Sequence, residues 1–121
     1  MRMTTDTRIE DWDEYSAALR DRGKQFSALH PELIKGFGAL SRGAATTKHL
    51  DAKTRELIAL AVAVTIRCQG CIDAHARKAK AAGATKEEVA EALGVAIALN
   101  AGSALTYSFH AMDALDGAGE G

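Results

Sequence analysis

An all-α fold is what this sequence predicts, on three observations. Hydrophobic residues make up 47% of the chain and aromatics only 5%, so a core must be built from Ala, Leu, Val and Ile. Alanine-rich interiors suit closely packed helices, because Ala leads the helix-propensity ranking and loses no side-chain entropy. A single proline leaves few enforced breaks, and apolar positions recur at helical spacing along the chain. At 121 residues the length fits one domain, residues 1–121.

About six helices are expected. Residues 7–22 place Ile9, Trp12, Tyr15, Ala18 and Leu19 at a helical period, and Gly23 offers a left-handed stop. A second helix starts near Pro31, a residue tolerated in a first turn, and carries Leu33, Ile34, Phe37 and Leu40 before Gly43. Asp51 is an N-cap for a third, which holds Leu57 to Ile66 and is apolar nearly all round, hence central. Val62, Val64 and Ile66 have strand character, but a long Ala-rich segment with a cap and a charged first turn favours helix. The fourth helix ends at Gly83. Thr85-Lys86-Glu87-Glu88 is a capping box that opens a fifth, with Val89, Ala92, Leu93 and Ala96 on one face. Asn100-Ala101-Gly102 is expected to interrupt it, leaving a sixth from about Ser103 to Leu115 and a glycine-rich, disordered tail at 116–121.

Formal net charge is −1 with no run of either sign, which argues against nucleic acid as a partner. A core of small side chains is thin for its length, so self-association is expected. The polar Met1–Asp6 stretch shows no leader. The longest apolar run, Leu57 to Ile66, falls short of the ~20 residues a membrane span requires. Two cysteines without an export signal point to the reducing cytosol, where such a pair is catalytic or metal-binding more often than a staple.

Those cysteines carry the chemistry. Cys68 and Cys71 sit three residues apart, and His75 follows the second by four. On a helix, offsets of 0, 3 and 7 share one stripe, and the Cα separation across one turn falls in the ~4.4–6.8 Å window for a disulfide. Cys71 is expected in a first turn, where free N–H groups and the helix dipole stabilise an anion. Such settings lower a thiol pKa from about 8.5 to roughly 3.5–7.5. A thiolate attacks a peroxide oxygen or a disulfide sulfur; the resulting sulfenic acid then condenses with a second thiol. Glu56 could orient His75 or take a proton, as the third group does in a nucleophile–base–orienter set, although sequence alone does not bring it near.

Other readings stand beside this one. The cysteines could be small core residues, or Cys68, Cys71 and His75 could bind zinc with His49 or His110, although no second distant pair is present. Glu56 alone reads as a solvated first-turn charge beside Arg55. His110, Tyr107 and Trp12 read as packing or interface residues.

With these residues placed, the stretch from about Leu50 to Gly94 resembles the carboxymuconolactone decarboxylase-like family, and within it the AhpD-like alkyl hydroperoxidase branch. That pattern is a glutamate, an eleven-residue gap, CxxC, three residues and a histidine, read here as Glu56, Cys68, Cys71 and His75. Lys53-Thr54-Arg55-Glu56-Leu57-Ile58 and Cys71-Ile72-Asp73-Ala74-His75 extend the match. The resemblance implies a cytoplasmic, all-helical homotrimer or homohexamer with no metal and no bound organic cofactor. It also implies peroxide-attacking Cys71, resolving Cys68, a His75–Glu56 proton relay, and reduction by a lipoyl-bearing or thioredoxin-type dithiol protein. One position departs: Gly70 stands where hydroperoxidase members carry a histidine. A redox-sensing oligomer without turnover, or a non-redox lyase or isomerase on the same fold, are the alternatives.

Overall fold

The computed structural model describes residues 7–119; the expectations for Met1–Asp6 and for the last two residues lie outside that range. The described residues form five helices and no strand: α1 (Trp12–Leu29), α2 (Pro31–Ala45), α3 (Ala52–Thr65), α4 (Gln69–Ala81) and α5 (Lys86–Gly117). The all-α expectation is met, with one helix fewer than expected.

The missing break is at Asn100-Ala101-Gly102, through which α5 runs without interruption. The Asn100 amide donates to the Ala96 carbonyl at 2.7 Å, and Thr106 Oγ1 donates to the Gly102 carbonyl at 3.1 Å. Both side chains thus satisfy themselves on the helix's own backbone. A mid-helix glycine costs only about 1 kcal/mol, too little to stop a helix already nucleated by the Thr85–Glu88 capping box, where both reciprocal bonds are present. The tail therefore begins after Gly117, and residues 116 and 117 are helical.

Gly23 likewise fails to end α1. That helix starts where Asp11 accepts from the Glu14 N–H at 3.1 Å, and continues to His30. It stops there because Pro31 follows: a residue before proline is pushed out of the helical region, and His30 sits at φ −141°, ψ 68°. Pro31 then occupies the first turn of α2, and α2 passes Gly43 to reach Ala45.

The chain divides into two compact units, one holding α1 and α2 and the other α3, α4 and α5. In the first, α1 packs against α2, yet neither helix buries a residue. In the second, α3 packs against both α4 and α5. Its core is small-sided as expected: Leu60 and Ala63 from α3, Ala79 from α4 and Ala96 from α5 are buried. The expected central place of α3 holds within this unit, although the helix is not covered on every side. One face is covered, while Ile58 and Val62 are about half exposed.

Candidate functional site

Three residues, Ile66, Arg67 and Cys68, join the end of α3 to the start of α4. The Cys68 backbone N–H donates back to the Ala63 carbonyl at 3.0 Å, the six-to-one bond of a Schellman turn. The residue before it, Arg67, takes the left-handed position at φ 56°. The same turn recurs at the end of α4, where Gly83 (φ 88°) occupies that position and Ala84 N–H donates to Ala79 O at 3.0 Å. Glycine adopts this conformation freely; a non-glycine residue pays on the order of 1–2 kcal/mol, so the chain tolerates strain immediately before the cysteine pair. Sequence reading missed Arg67 because nothing in its type announces a positive φ.

Cys68 is also the N-cap of α4, and its Sγ accepts from the Cys71 N–H at 3.2 Å. Cys71 is thus the third residue of the helix, in its first turn. No acidic side chain lies in that turn, while Lys78 and Lys80 occupy the last one, so the positive end of the helix dipole faces the sulfurs without a competing carboxylate. The two sulfurs are joined as a disulfide across a Cα–Cα distance of 5.2 Å. Both cysteines are half-buried rather than sealed.

His75 lies one turn further along α4, and Glu56 projects from α3 to meet it: His75 Nδ1 donates to Glu56 Oε2 at 2.5 Å. The carboxylate can only accept, so Nδ1 is the donor in this bond and Nε2 is the ring nitrogen not engaged by Glu56. Glu56 is 5% exposed and His75 half-buried. Arg55 Nε stands 3.6 Å from the other Glu56 oxygen, so this buried charge has cationic as well as hydrogen-bonding support. The solvated first-turn reading of Glu56 does not hold.

A second buried carboxylate, Asp73, accepts from Arg77 Nε at 3.1 Å across one turn of α4. Sequence reading passed over it, although an Asp followed four residues later by Arg is a visible pairing signal. Leu60, Ala76, Val89 and Leu93, with Lys80 and Lys86, line a groove of about 590 Å³ between α3, α4 and α5, and Glu56, Cys68, Cys71 and His75 are not among its lining residues. Tyr107 and His110 do not line it; they stack on each other on α5, ring centroids 4.6 Å apart. Among the described residues no three His, Cys, Asp or Glu side chains converge in a metal-binding group.

Known proteins share this architecture. A carboxymuconolactone decarboxylase family protein from Legionella pneumophila superposes with a TM-score of 0.69 at 35% identity, covering 87% of this chain and 94% of that one. A Haemophilus influenzae protein is 51% identical over 104 residues, covering 86% of this chain and 92% of its own length. A protein of the cox locus of Paracoccus denitrificans is 40% identical over 101 residues, covering 84% and 87%. Residues 31–114 match the carboxymuconolactone decarboxylase family. On that match and these relatives, the chain belongs to the carboxymuconolactone decarboxylase family.

Proposed function

We propose that this chain is a thiol-dependent peroxidase or disulfide reductase of the AhpD-like type, acting in the cytosol. The observation that carries the reading is the Cys68–Cys71 pair at the mouth of α4 with His75, bonded to the buried Glu56, one turn further along the same helix. A dithiol that closes to a disulfide, an anion-stabilising helix start and an oriented imidazole are the parts a thiol-redox cycle needs.

In the cycle, His75 accepts the Cys71 thiol proton through Nε2, and Glu56 stabilises the imidazolium that forms. The Cys71 thiolate attacks the terminal oxygen of a hydroperoxide; the S–O bond forms as the O–O bond breaks. The alkoxide leaves with the proton from His75 as an alcohol, and Cys71 is left as a sulfenic acid. Cys68 then attacks that sulfur, expelling water and giving the disulfide. A dithiol donor of the lipoyl or thioredoxin type returns two electrons and two protons by thiol–disulfide exchange and is itself oxidised to a disulfide.

The test is steady-state reduction of tert-butyl hydroperoxide with dihydrolipoamide as donor. Cys71→Ser should abolish turnover, and Cys68→Ser should leave a sulfenic acid that dimedone traps. Full activity in both variants would overturn the role assignment. Loss of two thiols per chain on peroxide treatment without turnover would instead favour a redox sensor. A peroxide-inert thiol pair would leave the lyase or isomerase reading.

A further inference from the structure

Among the described residues Arg67 is the one non-glycine residue in the left-handed region (φ 56°), and it immediately precedes Cys68. The matching turn at the end of α4 uses Gly83 in that position. A glycine would form the turn without the steric cost of a Cβ, so the backbone gives no reason for an arginine. The fold gives none either: the side chain is exposed, and no hydrogen bond or ion pair with another described residue holds it. A strained, solvent-facing cation beside a reactive sulfur is accounted for by a visiting ligand.

The surrounding charges agree. Arg67 is the only Lys, Arg, Asp or Glu from Leu57 to Ile72. Helices α3 and α4 carry one carboxylate each, Glu56 and Asp73, and both are buried and bonded, to His75 and Arg77. On α5 no Lys, Arg, Asp or Glu lies between Glu91 and Asp113. The acidic first turn of α5 is tied to the other end of α3, where Lys53 Nζ meets Glu88 Oε2 at 2.7 Å. From Lys53 to Thr65 α3 rises about 18 Å, well beyond the screening length of about 8 Å at physiological salt. The α4 dipole adds positive potential at Cys71, with no acidic residue in that first turn. Within this unit the field at the disulfide is therefore positive, and Arg67, one residue from Cys68, supplies its full charge.

We propose that Arg67 selects a dithiol donor that carries a carboxylate: a small acid whose thiols reduce the Cys68–Cys71 disulfide while its carboxylate pairs with the guanidinium. The inference rests on the redox reading and names the charge of its reductant. A donor thiolate attacks Cys68 Sγ, next to Arg67; the S–S bond breaks, and Cys71 leaves as the thiolate that the helix start stabilises. The second donor thiol, as thiolate, then attacks the donor sulfur of the mixed disulfide. Cys68 is released and the donor departs as a cyclic disulfide, having passed two electrons and two protons to the cysteine pair. A guanidinium matches a carboxylate with two parallel hydrogen bonds. Positive charge attracts any thiolate, so the discriminating quantity is the added preference for a donor with a carboxylate.

The experiment is stopped-flow reduction of the oxidised full chain by dihydrolipoate and by dihydrolipoamide, which differ in a carboxylate against a neutral amide. Each rate is divided by that donor's rate with bis(2-hydroxyethyl) disulfide, which removes differences in intrinsic thiol reactivity. Exposed ion pairs and helix-end charges each contribute a factor of about 1.5–5. The acid should thus be favoured about threefold at about 20 mM ionic strength, and the preference should vanish near about 1 M salt. Arg67→Gln should abolish it, Arg67→Lys should retain most of it, and Lys80→Gln, in the last turn of α4, should leave it intact, all with unchanged circular dichroism. A wild-type ratio near one, or a preference that survives in folded Arg67→Gln, would overturn the proposal and leave the redox reading standing. Failure of both donors to reduce the disulfide would overturn the two together.

Discussion

Replacing Glu56 by Gln would remove a charge and almost nothing else, and so isolates what the carboxylate does for His75. The side chain is 7% exposed, bonded to His75 Nδ1 at 2.5 Å and 3.6 Å from Arg55 Nε. A glutamine of the same shape still accepts from the ring N–H. What it loses is the ionic part of the bond. Hydrogen bonds to a charged group contribute about 1.5–3 kcal/mol net, against about 0.5–1.5 kcal/mol for neutral pairs. The difference, about 1–1.5 kcal/mol, is roughly a 5- to 13-fold slower step at 1.36 kcal/mol per decade. Glu56→Ala goes further, because it leaves the ring N–H without its acceptor and opens a cavity; a loss on the order of 100-fold is expected. The assay is single-turnover oxidation of the reduced protein by tert-butyl hydroperoxide across a pH series. If Glu56 works through His75 as proton acceptor, the deficit should shrink at alkaline pH, where the thiol ionises without help. A Glu56→Gln rate within twofold of wild type at every pH would refute the relay. A deficit that is flat with pH and matched by a lower melting temperature would reassign Glu56 to a purely structural role.

Other outcomes follow from the same geometry. Leu60→Ala should lower unfolding free energy by about 2–5 kcal/mol in urea titration, because Leu60 is 5% exposed and is the largest apolar side chain in the small buried core of its unit. Thr85→Ala should cost about 1 kcal/mol by removing the N-cap oxygen that Glu88 N–H bonds at 3.1 Å. Lys53, and after it the Thr85 backbone N–H, hold the Glu88 carboxyl below its ordinary value of 4.5. A depressed carboxylate stabilises the folded form above the unfolded pKa, and that contribution fades as pH falls through the folded value. The stability gap between wild type and Glu88→Gln should therefore be present at neutral pH and close on acidification below about 4.5, as thermal melts would show. Arg67→Gly should leave stability unchanged or slightly raised, since glycine relieves the strain at φ 56° while adding freedom to the unfolded chain; a loss above about 2 kcal/mol would show that the Arg67 side chain itself holds the turn.

Helical class, the start of α2 at Pro31 and both ends of the 83–85 junction were legible in the sequence, because they follow from local preference: a proline, a left-handed glycine and a reciprocal cap act within a few residues. So was the closeness of Cys68 and Cys71, whose Cα atoms are 5.2 Å apart, and the place of His75 one turn after Cys71 on α4, since local spacing decides both. Breaks predicted from glycine alone failed at Gly23, Gly43 and Gly102, where its small propensity penalty yields to a helix already under way. Glu56 and His75 are nineteen positions apart, and only the packing of α3 on α4 brings them into contact. The Cys68 hinge is also tertiary in origin: the chain must turn there for the two helices to pack, and Arg67 takes a left-handed conformation to let it. Pattern along a helix is encoded one turn at a time, whereas contact between helices depends on the whole set of faces being buried together.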